Sequence, residues 1–241
     1  MESQVILSVH NLSIRLHDKV LFENLSFTLK KGERIIFSAP NGAGKSLLLQ
    51  IIAHGLSANL ERKYEGLQVA GEIFMNGVDL LSKRNDAPVQ PLYMAQEEIF
   101  HDGYTLLDEI ESSFRAKGME CPKEPLNQLL ERFGLYSRRH KKISKGFSSG
   151  ERKLIHFIKK ILLFEHADLI LLDEPLNHIS FENSTIINEL LTEKLKNSHA
   201  SVILVSHCRA LDFVQKELRY DNRKHALREF DYQSYNCFND N

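Results

Sequence analysis

Ser38-Ala39-Pro40-Asn41-Gly42-Ala43-Gly44-Lys45-Ser46 decides the fold. An apolar run, Arg34-Ile35-Ile36-Phe37, leads into it, and a second, Leu47-Leu48-Leu49-Gln50-Ile51-Ile52, leads out. Strand, glycine-rich turn and helix in that order form the context of a phosphate-binding loop. Glycines let the main chain wrap closely round an anion, so that several N–H groups converge. A helix opening near Lys45 adds unpaired N–H groups and the positive end of its dipole. Lys45 supplies a mobile full charge for the terminal phosphates of a nucleoside triphosphate, and the Ser46 hydroxyl is a ligand for Mg²⁺. Nucleotide contacts are expected from Pro40, Asn41, Gly42, Ala43, Gly44, Lys45, Ser46 and Leu47. The pattern G-x-x-x-x-G-K-[ST] is met except at its first glycine, which is Ala39. If that position needs a positive φ, alanine is strained there; in an ordinary region the change is nearly silent.

The chain has 241 residues, 42% hydrophobic and 26% charged, which suits one large globular domain or two small lobes. A formal net charge of −1 gives no bulk attraction to nucleic acid or to a membrane surface. Cys121, Cys208 and Cys237 are scattered and odd in number, so neither a disulfide framework nor metal-ligand spacing follows, and a reducing cytosol is expected. The start of the chain lacks a basic segment and a long apolar core, so it does not read as a signal peptide. No stretch reaches the ~18 apolar residues of a spanning helix, and any membrane role is expected to run through a partner.

Val5–Val9, Leu12–Leu16 and Ser26–Leu29 read as short antiparallel strands, with Lys31-Gly32 as a turn. Residues 55–70 read as an irregular linker, ending in a strand over 71–75 and an Asn76-Gly77 turn. Leu92-Tyr93-Met94-Ala95 reads as a short strand followed by Gln96. From Glu97 to about Lys145 apolar residues recur at helical spacing, as in Leu106, Ile110 and Phe114, then Leu126, Leu129 and Leu130. This segment reads as a helical lobe inserted between strands. Ser148 with Glu151 three residues on is a capping box, so a helix is expected to open there. Leu169–Leu172 and Ser201–Val205 are continuous apolar runs of the kind buried on both faces of a parallel sheet. Phe181–Lys196 reads as a helix between them, and the tail after Leu218 reads as weakly structured.

Two of these strand ends carry chemistry, at the sheet edge where α/β folds place their ligands. Asp173 can hold Mg²⁺ directly or through water, and Glu174 can orient or deprotonate an attacking water. Neighbours in a strand point to opposite faces, but at its end the chain turns and both acids can reach the site.

With the glycine-rich loop, Gln96, Phe147-Ser148-Ser149-Gly150-Glu151, Ile170-Leu171-Leu172-Asp173-Glu174-Pro175 and Ser206-His207 in this order, the sequence resembles the ATP-binding cassette (ABC) ATPases. The resemblance covers roughly Val5 to Val214. It implies an α/β fold: a P-loop NTPase core with an N-terminal antiparallel β subdomain and an inserted helical lobe. One cassette would fill 1–241, with the nucleotide-binding core at 1–96 and 166–241 and the helical lobe at 97–165. It also implies a head-to-tail dimer with two ATPs at the interface. Each would lie between the phosphate loop of one subunit and the signature residues Ser148, Ser149 and Gly150 of the other. Glu174 would be the general base, His207 the γ-phosphate sensor, and Gln96 a contact to Mg²⁺ and water. Ser46, Gln96 and Asp173 would hold the metal.

Several positions depart from the family pattern besides Ala39. Leu47 stands where a Ser or Thr is frequent, Ser149 replaces a signature glycine, and Ser180 stands where an aspartate usually links the two sites. Leu16 occupies the place of an adenine-stacking aromatic, with His17 as a substitute beside it. Hydrolysis is still expected, at a slow rate and with poor base selectivity. Arg138-Arg139-His140-Lys141-Lys142 reads first as a solvated face, with a docking or nucleic-acid patch as the alternative. The resemblance implies a nucleotide-binding subunit on the cytoplasmic face, paired with a second ABC ATPase subunit and a separate transmembrane permease, with no nucleic acid expected. A soluble assembly or mechanical factor and a non-hydrolysing regulatory subunit remain alternatives.

Overall fold

The computed structural model describes residues 4–82, 91–96, 99–196, 198–207 and 211–233. The first three residues, Glu97 at the expected start of the helical lobe, Cys208 and Cys237 lie outside the described residues.

The chain opens with β1 (Val5–Leu16) and β2 (Lys19–Lys30), paired antiparallel. β3 (Arg34–Ser38) leads into α1 (Lys45–His54), followed by α2 (Ala58–Lys63), β4 (Leu67–Met75), β5 (Val78–Asp79) and β6 (Leu92–Met94). Four helices come next: α3 (Leu106–Arg115), α4 (Lys123–Arg132), α5 (Ile143–Gly146) and α6 (Ser149–Ile161). β7 (Leu169–Asp173), α7 (Phe181–Lys196), β8 (Ser201–Val205), β9 (Lys216–Asp221) and β10 (Ala226–Asp231) complete the chain. The strands form a 4-stranded antiparallel sheet in the order β2-β1-β4-β5, and a 6-stranded sheet in the order β10-β9-β3-β8-β7-β6. In the second sheet all neighbours are parallel except β10 and β9.

The two-faced apolar strands explain the layering. Leu169 and Leu171 of β7, with Ile203 and Val205 of β8, pack into a core shared with α1 and the antiparallel sheet. Ile170 and Leu172, with Val202 and Leu204, pack on the opposite face into a core shared with α3, α4, α6 and α7. Each fully buried leucine or isoleucine here contributes about 1.5–3 kcal/mol relative to exposure. α1 packs against β6 and β7, and α6 against α3, α4 and β6.

The N-terminal strands are longer than the sequence pattern suggests. Val5–Val9 and Leu12–Leu16 are one strand, interrupted by a bulge rather than a turn. Asn11 sits in the left-handed region (φ 48) and donates its N–H to Ser26 Oγ at 2.8 Å. Gly71 of β4 lies against the bulge: a Cβ there would meet the Asn11 carbonyl oxygen at 2.6 Å. A second irregularity at Asn24 (φ 52) breaks the alternation of β2, which hid its first half.

The expected linker over 55–70 is likewise structured. Ser57 caps α2 by accepting from Leu60 N–H, Leu60 is buried, and β4 begins at Leu67. The tail after Leu218 is corrected as well. β9 lies parallel beside β3, burying Leu218 and Tyr220, and β10 folds back antiparallel on it. Charged residues masked this hairpin, yet they pair with each other: Lys216 Nζ lies 2.8 Å from both Glu33 and Glu229.

Candidate nucleotide site

β3 ends at Ser38, the loop turns, and α1 starts at Lys45 with Gly44 as its N-cap. Gly44 has φ 93, and a Cβ on it would meet Leu21 Cδ1 at 3.0 Å, so both backbone and space demand glycine. Gly42 is also left-handed, at φ 71. Ala39 is absent from the left-handed non-glycine residues among those described, so alanine is tolerated at the first position of the pattern. Pro40, Asn41 and Gly42 are exposed, while Ala43 is buried and its N–H donates to Pro40 O at 3.2 Å. Lys45 Nζ donates to Ala39 O at 3.0 Å and to Pro40 O at 3.4 Å. Burial lowers its pKa, and the nearby carboxylates of Glu174 and Asp173 oppose that shift. Leu47 is buried in the core beneath the loop, so only its main chain can face a phosphate.

The end of β7 faces this loop. Ser46 Oγ donates to Asp173 Oδ1 at 3.0 Å, and the Tyr93 hydroxyl donates to Oδ2 at 3.1 Å. Asp173 is buried, which raises its pKa, while Ser46, Tyr93, Lys45 and Lys153 pull it back down. One residue on, Glu174 adopts φ 50, a left-handed backbone that costs about 1–2 kcal/mol outside glycine. That turn lets both acids reach the same end of the sheet. It is held by the Glu174 N–H on Val205 O at 2.8 Å and by Lys153 Nζ on the Glu174 carbonyl at 3.1 Å. The His207 N–H donates to Glu174 Oε2 at 3.2 Å, and His207 Nε2 lies 3.3 Å from Oε1. Glu174 Oε1 is buried and takes no hydrogen bond among the described residues. Burial raises the Glu174 pKa, the His207 amide and ring lower it, and Asp173 raises it again.

Ser46, Tyr93, Asp173 and Gln96 line one cleft of about 280 Å³, together with Gln50, His54, Lys63 and Tyr64. Its hydroxyl, carboxylate and amide oxygens are the hard donors that Mg²⁺ prefers, and the orphaned Glu174 oxygen belongs to the residue directly after Asp173 at the end of the same strand, so the residues fit that ion. Glu174 and His207 open on a second cleft of about 250 Å³, shared with Leu176 and Phe181.

The signature segment opens elsewhere. Ser148 caps α6, accepting from Glu151 N–H at 3.2 Å, while Glu151 Oε2 accepts from Ser148 N–H at 2.8 Å. Ser149 is exposed in the first turn of the helix, and Gly150 has room for a side chain, its nearest neighbour being His178 O at 3.8 Å. Ser149, Arg152, Lys153 and His178 line a groove of about 570 Å³ that also reaches Gln96 and Ile99. Within one chain Ser149 of the signature segment and Ser46 of the glycine-rich loop therefore line different clefts, with Gln96 bordering both. Ser180 stands at the start of α7, where its hydroxyl accepts from Asn183 N–H at 3.4 Å. His17 has φ 51 and its ring lies over Gly66, where a Cβ would meet Nδ1 at 2.6 Å.

Three residues of this neighbourhood carry no sequence signal. Tyr93 is one apolar-looking member of a three-residue strand. Lys19, at the start of β2, donates to Gly42 O at 2.9 Å. Lys153 bridges α6 to the main chain of Glu174 and Asn177. Arg138, in the basic run, donates to Gly146 O at 3.1 Å, pairs with Glu151, and lies 4.8 Å from the Phe147 ring. Arg139 stacks 4.0 Å from the Tyr136 ring. The two arginines thus brace the lobe, and only the rest of that run is a free face. His140, Lys141 and Lys142 are exposed.

A family model described as ABC transporter matches residues 22–177. The chain is 31% identical over 206 residues to the cytochrome c biogenesis ATP-binding export protein CcmA of Photobacterium profundum, covering 84% of this chain and 92% of that one. It is 28% identical over 203 residues to the ribosome protection protein VmlR of Bacillus subtilis, where the match spans 84% of this chain but only 31% of that protein. Among solved structures, an ATP-binding subunit of an ABC transporter superposes with a TM-score of 0.75 at 20% identity, covering 94% of this chain and 90% of that one. A dimeric post-hydrolysis ATP-binding cassette bound to ADP and Pi superposes with a TM-score of 0.74 at 18% identity, covering 95% and 100%. The fold is shared with both, and with the family match over most of its length the chain belongs to the ABC transporter family, as an ATP-binding cassette.

Proposed function

We propose that this chain hydrolyses ATP at a head-to-tail dimer interface and that the stroke moves a separate membrane partner. The observation that carries the reading is the separation of the phosphate loop from the signature helix. The loop surrounds one side of a triphosphate with amides, Lys45 and Ser46. The N-terminus of α6, a 13-residue helix, is a second anion-seeking surface on a different cleft. A second copy would bring its Ser148, Ser149 and Gly150 to the uncovered side of the γ-phosphate.

In that assembly Pro40 to Leu47 wrap the phosphates, with Leu47 contributing only its amide. Ser46 and Asp173, with Gln96 at the cleft mouth, would hold Mg²⁺, which when bound offsets charge on the phosphate oxygens. Glu174 accepts a proton from the attacking water, and His207 orients Glu174 and senses the γ-phosphate. Slow turnover follows from the Ser149 side chain at the first turn of α6 and from the missing hydroxyl at Leu47. The chain forms one cassette, with the core at 1–96 and 166–241 and the helical lobe at 97–165. The groove at Gln96 and Ile99, whose side chain is 95% exposed, would receive a cytoplasmic segment of the permease. Among the described residues no helix is long and apolar enough to cross a membrane.

A second reading, a soluble cassette without a membrane partner, is favoured by the likeness to the ribosome protection protein. Co-purification from native membranes separates the two. The dimer itself is tested with Glu174→Gln, which should run as a dimer on size exclusion in millimolar ATP and as a monomer without it. A monomer under both conditions would remove the sandwich.

A further inference from the structure

We propose that Tyr93 is a positioning residue for the metal carboxylate, its hydroxyl holding Asp173 in the orientation that presents Oδ1 beside Ser46. This rests on the reading of Asp173 as a metal-holding group.

The two oxygens of Asp173 are engaged from opposite elements. Ser46, from α1, donates to Oδ1 at 3.0 Å, and Tyr93, from β6, donates to Oδ2 at 3.1 Å. The terminal torsion of an aspartate is broad and roughly two-fold, so one hydrogen bond leaves the carboxylate plane free to swing. Two bonds at different oxygens fix it. The tyrosine is itself held firmly. β6 pairs with β7 in parallel register, Tyr93 against Leu171 and Met94 against Leu172, and the His54 ring packs edge-on against Tyr93 at 5.7 Å. Tyr93 and Asp173 are both buried, 9% and 1% exposed, so water does not readily replace the lost donor.

Gln50 lines the same cleft as Tyr93. Gln50 itself accepts from the Tyr64 hydroxyl and from Lys63 Nζ, each at 3.4 Å, so the donor sits at the inner end of a polar network behind the metal position.

A fixed carboxylate matters for ion choice. Mg²⁺ demands near-ideal octahedral geometry at short distances, whereas Ca²⁺ tolerates longer and irregular coordination. A rigid Asp173 therefore favours the smaller ion, and a loosened one narrows the difference.

The test is calorimetric titration of the full chain with ATP in EDTA, with ATP plus Mg²⁺, and with ATP plus Ca²⁺. Tyr93→Phe keeps the ring and removes only the hydroxyl. It should leave metal-free ATP affinity within twofold of wild type. It should lower the Mg²⁺-dependent gain in affinity about tenfold, the scale of a hydrogen bond to a charged group, while the Ca²⁺-dependent gain falls less. Tyr93→Met, apolar and without a donor, should follow Tyr93→Phe, and covers the case in which the first variant folds poorly. Asp173→Asn should abolish the Mg²⁺ gain outright. If Asp173→Asn loses the gain while both Tyr93 variants keep it and the wild-type Mg²⁺ over Ca²⁺ preference, the positioning role is wrong and the metal assignment stands. If Asp173→Asn keeps the gain, both fall together.

Discussion

His207 reaches Glu174 twice. Its main-chain N–H donates to Oε2 at 3.2 Å, while Nε2 of its ring lies 3.3 Å from Oε1. The first contact holds the carboxylate by backbone, which no substitution of the His207 side chain removes. The second places a titratable ring beside Oε1, the Glu174 oxygen that takes no hydrogen bond among the described residues.

Burial raises the pKa of Glu174 above its ordinary 4.5, ahead of the opposing pull of His207. A general base must be ionised, so phosphate release should fall as the pH drops through that raised value. The acid limb should therefore lie above 4.5, and a profile that is flat down to that pH would contradict the base assignment. The linkage sign for folding is the reverse of a paired carboxylate. Raised pKa values make the stability associated with Asp173 and Glu174 fully present below their unfolded pKa and lost as the pH rises through the folded one. Thermal melts of metal-free Asp173→Asn should accordingly show a weaker loss on raising the pH across that window.

The two small residues of the phosphate loop should behave differently. Ala39→Gly should leave ATP affinity within twofold and lower stability by about 0.4–1 kcal/mol, because alanine already fits and glycine only adds freedom to the unfolded chain. Gly44→Ala meets both φ 93 and Leu21 Cδ1 at 3.0 Å. It should cost about 1–3 kcal/mol and weaken ATP binding. Chemical denaturation and nucleotide titration of the pair give both readouts, and equal behaviour of the two variants would refute the loop geometry.

Lys45→Ala should abolish ATP binding. Removing the ammonium leaves the triphosphate with amides alone on that side of the loop. Unchanged affinity in a filter or calorimetric assay would displace the phosphates from this loop.

Arg138→Ala should lower stability by about 1–3 kcal/mol, since it unpairs Glu151 and frees Gly146 O beneath the start of α6. Because Glu151 also completes the cap with Ser148, ATP-dependent dimerisation in a Glu174→Gln background should weaken while monomer ATP affinity holds. A variant that dimerises normally would show that the brace is merely structural.

Much of this site was legible as residues and order, less as neighbours. The phosphate loop, the capping box at Ser148 and the acid pair after an apolar strand each follow from local rules, and the structure places them as those rules require. The turn that lets Asp173 and Glu174 share one end was anticipated in principle, but not that Glu174 itself would be left-handed. What was hidden depends on contacts between distant parts. Tyr93 meets Asp173 across 80 positions, and Lys19 meets Gly42 across 23, with nothing in either local pattern to mark them. The strands at both ends failed for another reason. Bulges at Asn11 and Asn24 break the period of two, and the hairpin of β9 and β10 carries its charges in pairs that propensity alone cannot see.

The alternation along β7 has a mechanical consequence. Successive leucines and isoleucines serve opposite layers, so a slip of a single residue would swap every one of them into the wrong layer at once. The strand cannot slide to adjust. Asp173 and Glu174 are thus anchored like a fixed post, and any rearrangement that nucleotide binding caused would have to leave that post in place.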